Sequence, residues 1–163
     1  MTLQRSPLRL CAAIVVIAGC AAAPPPHQSQ LDGPIEYTTG SGFFGYASQL
    51  RVELDGSASR TVTTSPAPGQ PTTTTVTTGT VSPAVLDQLR ADVAAVDLAS
   101  LRESYTCDQY GCNNADLGGS TLEIAADGMI AHISVDSSIP AKDLPPGLVQ
   151  LLEDVKAIDL PPP

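Results

Sequence analysis

The chain has no tryptophan, two phenylalanines and four tyrosines, so its core has to come from aliphatic side chains and each aromatic residue can be weighed singly. Positive charge is equally scarce. Eight Lys and Arg stand against 17 Asp and Glu, a formal net charge of −9, and eight basic residues cannot supply the stripe that a phosphate backbone demands. Nucleic acid is thereby excluded as a partner. The histidines number two, His27 and His132, and no cysteine or histidine grouping has metal-ligand spacing, so no metal is expected. The longest apolar run, residues 10–18, is about half of what a helix needs to cross a bilayer. Repeats are absent, and so are phosphate-binding and nucleophile motifs: Gly40, Gly42 and Gly45 lead into Tyr46 rather than a Lys and a hydroxyl, which suits a turn and not a phosphate cradle. No catalytic residue and no cofactor are expected. At 163 residues and 42% hydrophobic, the chain holds one small domain with tails.

What is present begins with an address. Arg5 and Arg9 precede the apolar run, which ends in Ile17-Ala18-Gly19-Cys20; this is the positive, apolar, small-residue order of an export signal spanning residues 1–19. The same four residues resemble the lipobox of bacterial lipoproteins, in which an aliphatic residue, a small residue and Gly or Ala precede a Cys. The resemblance implies cleavage before Cys20, diacylglycerol on its sulfur, and a fatty acyl chain such as palmitate on the new amine. Two or more acyl chains hold a protein on a membrane where one does not. Loss of residues 1–19 removes two arginines and no acid, taking the net charge from −9 to −11, so anionic headgroups repel the mature surface and the lipid on Cys20 is the main anchor. Residues 20–33, with Pro24, Pro25 and Pro26, read as the lipidated Cys and an extended stand-off linker in which His27 is solvated. Ala21 is not the Asp that keeps many lipoproteins in an inner membrane. The expected location is therefore the outer membrane, on its periplasmic face, in a host with two membranes, and the cell surface otherwise.

The cysteines divide accordingly. Cys11 leaves with the signal and Cys20 takes the lipid, which leaves Cys107 and Cys112 as one disulfide in an exported chain. A zinc site would need two more soft ligands, and the folded part offers only His132.

Residues 34–160 carry the domain, ahead of a proline tail at 161–163. A first strand is expected at 35–39. Leu50, Val52 and Leu54 alternate before Asp55-Gly56, and a three-residue loop of Asp55, Gly56 and Ser57 would set Leu54 against Ala58 and Leu50 against Val62. The Thr-rich residues 72–80 suit an exposed strand, with a hydroxyl-rich loop as the competing reading. Ser82-Pro83 opens a helix with Val85, Leu86, Leu89, Val93 and Val96 on one face and Asp87, Gln88, Arg90 and Asp92 on the solvated side. Asp127-Gly128 is a hairpin signal that pairs Ala126 with Met129, Ile124 with Ala131, Leu122 with Ile133 and, on the other face, Glu123 with His132. Leu148, Leu151, Leu152 and Val155 mark a last helix. The expected fold is α+β: an antiparallel sheet of about five strands with two helices packed on one face, in the order βββαββα.

The segment 105–116 is the most informative for function. Tyr105, Asp108, Tyr110, Asn113 and Asn114 make a candidate protein-binding loop, in which the disulfide would preorganise aromatic anchors. A connector is the plainer reading. Asp108, Asn113, Asn114 and Asp116 offer hard oxygens, but without the alternating acids and closing Glu of an EF-hand.

The domain also resembles the emfourin-like proteins, small bacterial inhibitors of thermolysin-like metalloproteases. The shared features are Gly42-Phe43, the helix ending in Val96-Asp97-Leu98 to Leu101, the strand pair across Asp127-Gly128 ending in Val135-Asp136, and the Pro-then-Leu-rich last helix. The resemblance implies inhibition of a protease; the lipobox, the Thr-rich strand and the Cys107 to Cys112 loop depart from it. The sequence thus predicts a lipid-anchored, non-enzymatic, monomeric envelope protein that binds another protein, with an envelope hydrolase using acidic residues or a purely structural lipoprotein as alternatives.

Overall fold

The computed structural model describes residues 28–41, 45–65, 70–112 and 118–160. The expected export signal, Cys20, Pro24 to Pro26 of the expected linker and His27 lie outside the described residues, as do Asn113, Asn114 and Asp116.

Seven strands form one sheet: β1 (Leu31–Ser41), β2 (Tyr46–Val52), β3 (Ser57–Thr64), β4 (Thr73–Thr80), β5 (Ser104–Tyr105), β6 (Gly119–Ala126) and β7 (Met129–Asp136). Their spatial order is β4-β3-β2-β1-β6-β7-β5. All neighbours are antiparallel except β5 and β7, which run parallel. Three helices join them: α1 (Pro83–Ala95), α2 (Cys107–Tyr110) and α3 (Pro146–Lys156). The five-stranded, wholly antiparallel sheet with two helices that periodicity predicts is therefore corrected to a seven-stranded mixed sheet with three helices. The additions are pieces without periodicity. β5 is two residues long and α2 is four, too short to show a period of 2 or 3.6. β4 forms at the Thr-rich residues expected to suit an exposed strand, where Thr supplies β propensity without apolar alternation.

Alternation of the other strands builds the core. Ile35 and Tyr37 of β1, Leu50 and Val52 of β2, Leu122, Ile124 and Ala126 of β6, and Ile133 and Val135 of β7 are buried on one face. Leu86, Leu89 and Val93 of α1 and Leu148, Leu151, Leu152 and Val155 of α3 close over them in the same cluster. Glu36, Gln49, Arg51, Glu123 and His132 occupy the opposite, solvated face, the usual division of an antiparallel sheet. α1 starts as its sequence demands: the Ser82 Oγ accepts the N–H of Val85 at 3.3 Å, and Pro83 takes the first helical position. The two helices approach closely at Gly147, where a Cβ would sit 2.9 Å from Val96 Cγ2.

The two tight hairpins obey their glycines. Asp127 and Gly128 adopt φ of 55° and 71°, the left-handed pair of a type I′ turn, and all four expected cross-strand pairs form, with Glu123 opposite His132. At the earlier turn the register differs from expectation: Val52 faces Ala58, Leu50 faces Arg60, and Ser48 faces Val62. The N–H of Gly56 bonds to the carbonyl of Glu53 at 3.0 Å and Gly56 has φ of 84°, so the loop is Leu54, Asp55 and Gly56. A three-residue loop places its left-handed residue last, and only Gly56 suits that position. Leu54 is thereby drawn into the turn and left 38% exposed.

Before Pro34 the chain is already part of the domain. Leu31 pairs with Ala126. Gln30 and Asp127 exchange bonds of 3.0 Å, and the buried Ser29 donates its hydroxyl to the Val96 carbonyl at 3.3 Å.

Candidate functional site

The Cys107 to Cys112 loop is held from several sides. The two sulfurs are bonded, with Cα atoms 4.9 Å apart. Cys107 N–H donates to Asp136 Oδ2 at 2.7 Å, which ties the start of α2 to the end of β7. Gln109 Oε1 accepts the N–H of Thr106 at 3.3 Å, and Gly111 closes the helix at φ of 67°, a left-handed cap. Tyr105 and Tyr110 stack with ring centroids 6.4 Å apart.

Within its described part, the aromatics of the loop face inward. Tyr105 is only 3% exposed and its hydroxyl accepts the N–H of Arg102 at 3.3 Å; Tyr110 is half-buried, and Asp108 is exposed. Tyr105 therefore serves the core, because β5 pairs with β7 and carries its side chain onto the apolar face. That parallel pairing has no local signature. The disulfide thus fixes a corner of the fold and presents Asp108 beside a partly covered Tyr110.

The exposed apolar surface lies on the other side of β5. β5 covers β7 only at Ser134 and Val135, so the beginning of β7 has open space beside it. There Met129 and Ile130 are 58% and 62% exposed, next to a groove of about 360 Å³ whose other wall is Leu98, Ala99 and Leu101. Arg102, Glu103 and His132 rim it. An apolar centre with a polar rim is the anatomy of a protein-binding patch. The hairpin pattern places Met129 and Ile130 at the tip, but the groove required the return of residues 98–103 to β7, which sequence periodicity does not encode.

A second cavity, about 300 Å³, lies between α3 and the ends of β1, β6 and β7. Its walls include Tyr37, Ser120, Asp136, Glu153 and Lys156. Asp136 accepts from the Cys107 amide, and the Lys156 ammonium stands 6.0 Å over the Tyr37 ring, so these two charged groups are already engaged within the protein.

Asp92 departs from its expected solvated position. It is 7% exposed in α1, where Gln88 Nε2 donates to its Oδ1 at 2.8 Å and its Oδ2 has no donor. Burial, followed by the facing Asp154 carboxyl of α3, raises its pKa above the ordinary 3.8. Asp154 in turn accepts from Gln150 at 2.9 Å. These two acids converge between helices rather than on a cleft. His132 Nδ1 sits 3.2 Å from Glu123 Oε1 on the exposed face, with no nucleophile in its register pair.

Among the described residues no group of three or more His, Cys, Asp or Glu is arranged to hold a metal ion, and no helix is long and apolar enough to cross a membrane. Compared with protein-family models and with curated proteins, the chain matches none.

Proposed function

We propose that the protein is an exported, lipid-tethered, non-enzymatic module of the cell envelope that binds another protein through the groove beside the β6–β7 hairpin. The observation that carries this reading is that Met129 and Ile130 are each more than half exposed and both line an apolar groove, since large apolar side chains exposed beside such a groove mark association surfaces. The lipobox-like Ile17-Ala18-Gly19-Cys20 supports the tether. The likeness to emfourin-like inhibitors makes a thermolysin-like metalloprotease the first partner to try.

Two measurements test this. Cys20→Ser abolishes acyl labelling and membrane retention, and unchanged retention refutes the tether. Met129→Ser with Ile130→Ser removes a partner captured by the parent chain from envelope extract while leaving thermal stability within about 1 kcal/mol, because both side chains already face water. A captured set that is identical for parent and double variant refutes the groove.

A further inference from the structure

We propose that β4 is a self-pairing edge through which two copies of this chain join their sheets into one. The two borders of the sheet are built differently. On one side β7 is blunted by the two-residue β5 and the disulfide loop. On the other, β4 runs for eight residues in unbroken register with β3, from Ser57 opposite Thr80 to Thr64 opposite Thr73, and it has no neighbour beyond among the described residues. It carries no charge, no proline and no bulge, the devices by which edge strands avoid pairing.

Its hydrogen-bonding groups are already aimed outward. Val81 N–H bonds to the Gly56 carbonyl at 2.9 Å, which sets the alternation: residues 73, 75, 77 and 79 turn their amides to β3, while Thr74, Val76, Thr78 and Thr80 turn theirs to the open side. Neither side-chain face of the first half of β4 is covered, so the helix layer does not overhang the approach.

Charge selects the occupant. No Asp, Glu, Lys or Arg occurs from residue 61 to residue 86, in a chain of net charge −9. A basic partner is drawn to the acidic surfaces and finds nothing here, whereas two identical acidic chains repel each other except where both are neutral. A second copy fits this edge, where neither chain brings a charged side chain from β4 to the seam. Antiparallel pairing about a two-fold axis through Val76 sets Val76 against Val76 and Thr74 against Thr78, closes about six N–H···O bonds, and buries the 55% exposed Val76. Threonines already associate in this way within the sheet, where Thr63 and Thr74 hydroxyls lie 3.5 Å apart. Such a contact is the same patch on both copies and closes at two. The dimer replaces the monomer expected from sequence and is independent of the hairpin groove.

The test is cysteine crosslinking of the full exported chain in membrane extract. In a hydrogen-bonded antiparallel pair the Cα atoms lie about 5.5 Å apart, within disulfide range. Val76→Cys is therefore expected to give a disulfide-linked species of twice the mass under mild oxidation, with none from the parent chain or from Gln88→Cys on exposed α1. Adding Thr78→Pro, which removes an outward N–H that β3 does not use, reduces that species at least tenfold; Thr78→Lys serves the same purpose should proline lower the melting temperature. A chain that sediments as a monomer at 100 µM, Val76→Cys that stays monomeric, or crosslinking that survives both Thr78 variants would overturn the proposal.

Discussion

Replacing Asp92 by Asn should stabilise the protein at neutral pH. Asp92 is buried between α1 and α3, its Oδ1 accepts from Gln88, and its Oδ2 has no donor while the Asp154 carboxyl faces it. A buried polar oxygen left unpaired costs about 1–3 kcal/mol. Asn keeps the acceptor for Gln88, replaces Oδ2 by an amide that donates toward Asp154, and removes one of two like charges. The sign of the pH dependence follows from linkage. An acid whose folded pKa is raised binds more protons folded than unfolded, so its carboxyl is tolerated below about pH 3.8, where it is neutral in both states, and its cost grows as pH rises through the folded value. The Asn variant does not titrate there. Thermal melts at pH 7.5, 5 and 3.5 should therefore show the variant ahead by about 1–3 kcal/mol at the highest pH, or about 4 °C per kcal/mol for a domain of this size. The advantage should shrink toward nothing at the lowest. A variant that melts below the parent at pH 7.5, or an advantage that is the same at all three values, refutes the account of this pair.

Other perturbations separate local from tertiary causes. Gly128→Ala meets no atom within 4 Å but keeps φ at 71°, so urea unfolding should show a loss of about 1 kcal/mol from backbone strain alone. Gly147→Val places its Cβ 2.9 Å from Val96 Cγ2 at the α1–α3 contact and should cost about 1–3 kcal/mol by overpacking, a loss that Val96→Ala partly reverses. Leu148→Ala, at a fully buried position, should lose about 2–5 kcal/mol in the same assay. Serine at both Cys107 and Cys112 opens a six-residue ring and should lower stability by about 2 kcal/mol in the loop-entropy description, with added proteolysis confined to residues near α2.

Elements whose cause is local are legible in the sequence alone. Asp-Gly at 127–128 has the left-handed preference that a two-residue hairpin needs, so its register followed from two residues and the alternation around them. Ser82-Pro83 stated the start of α1 in the same way. The Asp55-Gly56 turn shows where such inference stops. The dipeptide identified a hairpin, but apolar matching set the loop one residue too late, because satisfying the left-handed position of Gly56 outweighs keeping Leu54 in the strand. Asp92 and Tyr105 mark a second limit. Helical spacing put Asp92 on the solvated side because it says nothing of α3 covering that side, and nothing near Tyr105 announces a parallel partner about 30 residues away.

The sequence by itself determined the acidic composition, the close cysteine pair, and every element with its own period or cap, since these depend on composition or on residues within a turn or two of one another. The tertiary structure decided the number of strands, which border of the sheet stays open, the inward turn of Tyr105, the burial of Asp92, and the groove beside Met129 and Ile130. Those features arise where segments distant in the chain meet, and the free energy of such meetings depends on shape and burial that no local pattern records.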